Sequence, residues 1–194
     1  MLRITNNDFL AVARDVIRPQ ISDRLLAGQN LVTFEPEPRV VASGRDPMLA
    51  LRPSGALALM RVEKGNIWFQ CSHDGGDSFE NPVRGNDVEG EVVSHAESSP
   101  QLQLRSRSEL YLLWQTRLAG PGGASALRFA RSTDWGETFS KAIHVDPTGL
   151  PASQSFFALN ISPKGVVHAA WLDGRDRTGA PGFRRQSGPG LLPD

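Results

Sequence analysis

Two eight-residue stretches of this chain repeat one pattern. Ser72-His73-Asp74-Gly75-Gly76-Asp77-Ser78-Phe79 and Ser132-Thr133-Asp134-Trp135-Gly136-Glu137-Thr138-Phe139 both read Ser-x-Asp-x-Gly-x-Ser/Thr-Phe, and they begin 60 positions apart. A motif repeated at such a period makes each copy part of a supersecondary unit that buries its apolar face against a neighbour. The residue types follow from the spacing. Asp followed two positions later by Gly marks a tight turn: the carboxylate accepts from backbone N–H groups ahead of it, and Gly takes the positive φ. Ser72 and Ser132 in front, and Ser78 and Thr138 behind, can tie the turn through their hydroxyls. Phe79 and Phe139 are placed to tuck beneath it. Asn66-Ile67-Trp68-Phe69-Gln70-Cys71 before the first turn and Leu127-Arg128-Phe129-Ala130-Arg131 before the second read as strands. Each turn therefore joins two antiparallel strands.

The flanking sequence divides into recurring units. In the first, 48–51 is an inner strand, 56–62 a second and 66–71 a third, followed by the turn and a short outer strand over 79–84. In the second, Gln101–Leu104 is followed by strands over 110–115 and 126–131. A third begins with 156–161 and 166–171, and Trp114 and Trp171 fall at equivalent places on second strands, which makes both core residues. Four antiparallel strands recurring every 55–60 residues describe propeller blades. On this reading residues 41–182 hold about two and a half four-stranded blades. Residues 1–40 form an extension in which Asn7 and Asp8 cap a short helix over 8–18, stopped by Pro19. Residues 183–194, rich in Arg, Gly and Pro, read as a disordered tail. A third turn motif is due near position 192, and the tail has none. The expectation is a piece of a propeller protein roughly twice as long.

The turn motif is that of the Asp-box, or BNR repeat, and the chain resembles the sialidase-like (neuraminidase) β-propeller superfamily. The resemblance implies an all-β, six-bladed propeller in the full-length protein, with the Asp-box residues Ser72, Asp74, Gly76, Ser78, Phe79, Ser132, Asp134, Gly136, Thr138 and Phe139 structural, on the face opposite the ligand site. The opposite face then carries Arg45, Asp46, Glu63, Lys64, Asp87, Glu89, Glu91, His95, Glu97, Arg117, Asp173, Arg175 and Asp176. Gly44-Arg45-Asp46-Pro47 resembles the Phe-Arg-Ile-Pro motif of sialidases at two positions. That match makes Arg45 the candidate for gripping a substrate carboxylate, a task suited to a guanidinium fork. Arg45 pairing locally with Asp46 is the structural alternative.

The rest of a sialidase site does not assemble. Such enzymes use a Tyr nucleophile with a Glu, and an Asp acid/base soon after the Arg motif. No Asp lies between Arg61 and Cys71, and the only tyrosine, Tyr111, sits inside a strand. No catalytic residue is assignable. Trp171-Leu172-Asp173-Gly174-Arg175-Asp176 looks like a segment of bacterial BNR-repeat proteins; Asp173 and Asp176 either form a turn or offer oxygens to Ca²⁺. The four histidines (73, 95, 144, 168) lack metal-ligand spacing, so neither metal nor cofactor is expected.

Composition narrows the partners. Twenty-one basic and 21 acidic side chains balance, which gives no electrostatic reason for nucleic acid or an anionic membrane. No run is long enough to span a bilayer, and the single cysteine, Cys71, excludes an intrachain disulfide. The apolar run 9–13 stops at Arg14 and Asp15 and makes no signal peptide. As it stands the chain reads as cytoplasmic, or as secreted or periplasmic if its start is mis-set. Two functions follow: the N-terminal part of an exo-sialidase-like glycoside hydrolase, inactive alone, or a non-catalytic Asp-box propeller that binds a glycan, such as a sialoside-like carbohydrate, or a protein.

Overall fold

The computed structural model describes residues 4–5, 9–12, 39–52, 54–106, 108–119, 124–146, 152–174 and 182–187. These residues are all-β, with several antiparallel sheets, no closed barrel and no helix long enough to cross a membrane. Strands β1 (Ile4–Thr5), β2 (Phe9–Val12) and β3 (Arg39–Ser43) form an N-terminal sheet in the order β1-β2-β3. The first repeat is a four-stranded sheet of β4 (Arg45–Leu51), β5 (Leu57–Glu63), β6 (Asn66–Ser72) and β7 (Val83–Arg84), paired in sequence order. In the second, β8 (Val92–Val93) and β9 (Gln101–Leu104) both pair with β10 (Leu110–Arg117), which continues to β11 (Ser125–Ser132) and β12 (Ile143–His144). The third is three-stranded: β13 (Gln154–Ile161), β14 (Val167–Asp173) and β15 (Gly182–Ser187).

Three expectations change. The helix over 8–18 is replaced by strand β2 at Phe9–Val12, paired with β1 on one side and β3 on the other; the remainder of that stretch lies outside the described residues. Phe9 and Val12 favour a pleated surface, and two neighbouring strands supply backbone partners to a segment too short to nucleate a stable helix. In place of two and a half four-stranded units, the described residues form one four-stranded and one five-stranded sheet, flanked by two three-stranded sheets. Residues 183–187, expected in the tail, continue β15, because β14 offers them a full row of backbone partners from His168 to Asp173; 188–194 lie outside the described residues.

The repeats match bond for bond. Arg52 N donates to Ala56 O, Arg105 N to Glu109 O and Ser162 N to Val166 O, closing the same turn between inner and second strands in three sheets. Glu80 N→Cys71 O and Ser140 N→Arg131 O, both 2.8 Å, repeat the bond that follows each Ser-Asp-Gly turn. The strands of the second sheet are buried on both faces, and the first and third sheets pack against it. Met60, Val62, Phe69, Leu110, Leu112 and Trp114 fill the layer between first and second sheets. Tyr111, Leu113, Phe129, Leu159, Ala169 and Trp171 fill the next. Leu59 packs with Val41, Ala42, Leu49 and Phe79 on the side of β3.

One partly buried ion cluster joins the first two repeats. Arg128, on β11, donates to Glu91 Oε2 at 2.8 Å and lies 3.2 Å from Asp87 Oδ1, while its NH2 also reaches Ala142 O at 3.0 Å. Asp87 and Glu91, expected on the ligand face, are committed to this link. Glu89 is exposed beside Arg84 at 3.7 Å.

Candidate functional site

The two Ser-Asp-Gly turns have nearly the same hydrogen bonds. Ser72 Oγ donates to Asp74 Oδ1 at 2.8 Å and accepts from Gly76 N at 2.7 Å; Asp74 also accepts from Ser78 N and Ser78 Oγ, at 3.0 and 2.6 Å. In the second turn Ser132 Oγ donates to Asp134 Oδ1 at 2.6 Å and accepts from Gly136 N at 2.7 Å, while Thr138 N donates to Asp134 at 3.0 Å. The Ser78 hydroxyl and amide, with Ser72, hold the Asp74 carboxyl far below the usual carboxylate range. Partial burial opposes ionisation of Asp134, but the bonds from Ser132 and Thr138 outweigh it and keep its pKa low. These carboxylates are occupied, and the turns have no spare chemistry.

The second turn also fastens two sheets. Trp135 stacks under the Arg52 guanidinium, 3.2 Å from ring centroid, and Phe139 meets Phe69 edge-on at 5.6 Å. Cys71 Sγ donates to Trp135 O at 3.1 Å, and burial pushes the thiol up to about 12, which rules it out as a nucleophile at neutral pH.

The other end of the strands is different. Each inner strand is irregular at the same place. Register shifts between Arg45 and Met48 on β4 and between Ser155 and Ala158 on β13, and Asp46 (φ 51°) and Phe156 (φ 50°) take left-handed backbone there. In the second repeat the interruption is longer, the loop 94–100 between β8 and β9. Opposite these breaks lie Arg61, Trp114 and Trp171 on the second strands. Arg61 stands where the other repeats have Trp. Its guanidinium is buried, donating to Ser43 O and Gln70 Oε1 at 2.7 Å each. Burial lowers its pKa, and Glu63, 3.9 Å away, opposes that shift.

Loop 94–100 is clamped from both sides. Ser94 Oγ and Ser99 Oγ donate to the two oxygens of Asp46, the latter at 3.1 Å. On the opposite side Phe156 N donates to the buried Ser98 Oγ at 3.1 Å. Asp46 is thus an anchor between repeats. Arg45, the candidate carboxylate grip, has a side chain that is 58% exposed, with Nε 3.8 Å from Asp46. Lys64, with Gly65, makes the positive-φ pair of the β5–β6 hairpin. Asp173 is buried and accepts from Trp171 Nε1 at 3.4 Å; Arg175 and Asp176 lie outside the described residues. Tyr111 is fully packed against Phe129.

Between second and third repeats these strand ends line an open pocket of about 330 Å³, a size that suits a small ligand. His95 and Glu97 come from the clamped loop, Gln115 and Arg117 from the end of β10, Ser125 from the start of β11, and Ser153, Ser155 and Phe156 from the start of β13. His95, Glu97 and Arg117 are expected on this face, and the structure brings them together. The floor is a polar knot: Gln115 Nε2 donates to Ser125 Oγ at 2.9 Å and to Gln154 O at 2.5 Å, and Gln154 Oε1 accepts from Leu127 N at 2.9 Å. Phe156 stands 51% exposed at the rim. The arrangement offers donors, acceptors and an apolar ring face, and no cluster of metal-ligating side chains occurs among the described residues.

Sequence reasoning missed Gln115, Ser125 and Phe156. In sequence Phe156 reads as part of an ordinary inner strand; the one signal is its equivalence to Asp46, which follows the Gly44-Arg45 motif.

No protein-family model matches the chain, and no curated protein matches its sequence. Among solved structures it is similar to a protein of unknown function from Dyadobacter fermentans, with 16% identity and a TM-score of 0.54 over 90% of this chain and 65% of that one. The Hadza microbial sialidase Hz136 gives 19% identity and a TM-score of 0.42, over 72% of this chain and 37% of its own. An endo-arabinase from Bacteroides thetaiotaomicron gives 17% identity and 0.40, over 73% and 55%. The chain therefore spans less than two thirds of the length of each of these structures, and the similarity to the first is one of fold alone.

Proposed function

We propose that this chain is the carbohydrate-binding portion of a sialidase-like, Asp-box β-propeller, with residues 41–182 supplying blades, and that it does not hydrolyse glycosides by itself. One observation carries the reading: an open pocket with polar walls and an aromatic rim lies at the strand ends opposite the two Ser-Asp-Gly turns. A sugar ring has hydroxyls around its edge and an apolar C–H face. Arg117, Ser153 and Ser155 match the former and Phe156 the latter. Catalysis has no such support. Asp46 is held by two serines, Arg45 lies at the surface and Tyr111 is buried in packing. Within this reading the whole protein is an exo-sialidase-like glycoside hydrolase if later blades supply a nucleophile, and a glycan-binding propeller otherwise.

Calorimetric titration with methyl glycosides of common hexoses tests the binding, with a fluorogenic sialoside assay alongside. Binding that weakens at least roughly tenfold in Phe156→Ala, with no sialoside turnover, is the expected result. Turnover by the chain that disappears in Arg45→Ala, or no glycoside binding at all, would overturn it.

A further inference from the structure

The loop that lines the pocket is held from a place outside the pocket. Asp46, on β4 of the first repeat, is not a lining residue, whereas His95 and Glu97 of loop 94–100 and Phe156 of β13 are. Asp46 and Phe156 occupy the same position in their repeats: each sits in the break of an inner strand, at φ 51° and 50°. Loop 94–100, from the second repeat, bonds to both.

Those bonds leave the loop in opposite directions from neighbouring residues. Ser99 Oγ donates to Asp46 Oδ1 at 3.1 Å, and Ser94 Oγ donates to Oδ2. Ser98, adjacent to Ser99 and 2% exposed, accepts from Phe156 N at 3.1 Å. Ser98 N donates to His95 O at 2.9 Å, which ties that serine to the pocket wall. Ser99 Oγ also reaches His95 O at 3.3 Å, so its single proton is shared and Ser94 is the steadier donor to Asp46. The Asp46 side chain is only 17% exposed, which shields these bonds from water; the Arg45 contact at 3.8 Å comes from a largely exposed side chain and adds little.

Phe156 needs such a hold. Left-handed backbone at a bulky residue persists only where the surroundings impose it. Phe156 has no partner in the β14 ladder, and its ring is 51% exposed, so neither pairing nor packing supplies much of the constraint. Its N–H bond to Ser98 does, and Ser98 is only as fixed as the loop that carries it.

We propose that Asp46 is a positioning residue for this pocket: by holding Ser94 and Ser99 it fixes loop 94–100, and through Ser98 it fixes the backbone that presents the Phe156 ring. The effect on binding rests on the carbohydrate reading above; the positioning itself is read without a ligand.

The test compares the unmutated chain with Asp46→Gly and Asp46→Asn. Glycine takes left-handed backbone freely but removes both acceptors. Asparagine tolerates that backbone and keeps a polar atom at each place, and a serine hydroxyl pairs with either as donor or acceptor. Asp46→Gly should speed amide hydrogen exchange at Phe156 at least roughly tenfold, while amides within β10, which is paired on both sides, keep their rates. Methyl glucoside, galactoside, mannoside and N-acetylglucosaminide are then titrated. The one that binds tightest should bind Asp46→Gly at least roughly fivefold more weakly. Asp46→Asn should stay within about twofold of the unmutated chain in both measurements. Should Asp46→Gly not fold, Ser94→Ala/Ser99→Ala removes the same bonds from the loop side and is held to the same pattern. Unchanged exchange at Phe156, acceleration spread evenly through β10, unchanged sugar affinity, or an Asn variant as impaired as the Gly variant overturns the proposal and leaves carbohydrate binding standing. No binding by the unmutated chain overturns the carbohydrate reading, and the exchange comparison alone then decides the positioning.

Discussion

At the residue scale, the two Ser-Asp-Gly turns look interchangeable in sequence but differ in what lies beneath them. A Cβ on Gly76 (φ 99°) would sit 3.0 Å from Leu57 Cδ1, the far end of a flexible side chain, whereas one on its counterpart Gly136 (φ 89°) would sit 2.0 Å from Phe69 Cε1. Gly76→Ala should therefore cost little beyond the conformational penalty, about 1–2 kcal/mol. Gly136→Ala should add overpacking against Phe69 and cost about 2–4 kcal/mol in all. Urea unfolding of the two variants reads the difference, and equal losses would contradict the packing described for the second turn. The aspartates predict a pH dependence. Asp74 and Asp134 have folded pKa values depressed below the unfolded value of about 3.9. Their stabilisation is present above that value and is lost as pH falls through their folded values. Thermal melts of the unmutated chain should fall below about pH 4, and Asp74→Asn should flatten part of that fall; an unchanged profile in the variant would refute it.

At the element scale, the inner strands carry the site because they are broken, and that break was only partly legible. Strand existence could be read from alternation: 101–104 matches β9, and the equivalence of Trp114 and Trp171 holds in the register. The turns were readable because their ligands lie within eight residues of one another. The clamp on loop 94–100 was not, because Ser94 reaches back 48 residues to Asp46 and Ser98 forward 58 to Phe156. Nor does local sequence announce that Arg61 replaces the tryptophan of the other repeats, since a buried arginine needs Ser43 and Gln70 from other strands. At β2 the short apolar run 9–13 fits helix or strand, and pairing with β3 decides it. Between elements, Arg128 holds Asp87 and Glu91 at the seam of the first two repeats. Arg128→Met should destabilise the chain by about 3–5 kcal/mol, because Glu91 is left buried without its cation. The loss should persist in high salt, which screens exposed pairs but not this one; a loss below about 1 kcal/mol would place the pair at the surface in solution.

At the scale of the whole molecule, the stack of sheets separates two kinds of strand end. One end holds Ser-Asp-Gly turns whose carboxylates are saturated by their own turn. The other holds the breaks in the inner strands, the clamped loop and the pocket with Arg117 and Phe156. The same repeat thus supplies rigidity at one end and variable side chains at the other, since a change at a break position leaves the ladder intact. Fold and activity are separable in such a scaffold, and the site has to carry the functional argument. The most direct measurement is a chemical-shift map of the 15N-labelled chain titrated with the methyl glycoside that binds it. The account predicts shifts confined to the pocket end, at Arg117, Ser153, Ser155 and Phe156, with none at 72–79 or 132–139. Shifts centred on the two turns, or none anywhere at saturating sugar, would contradict it.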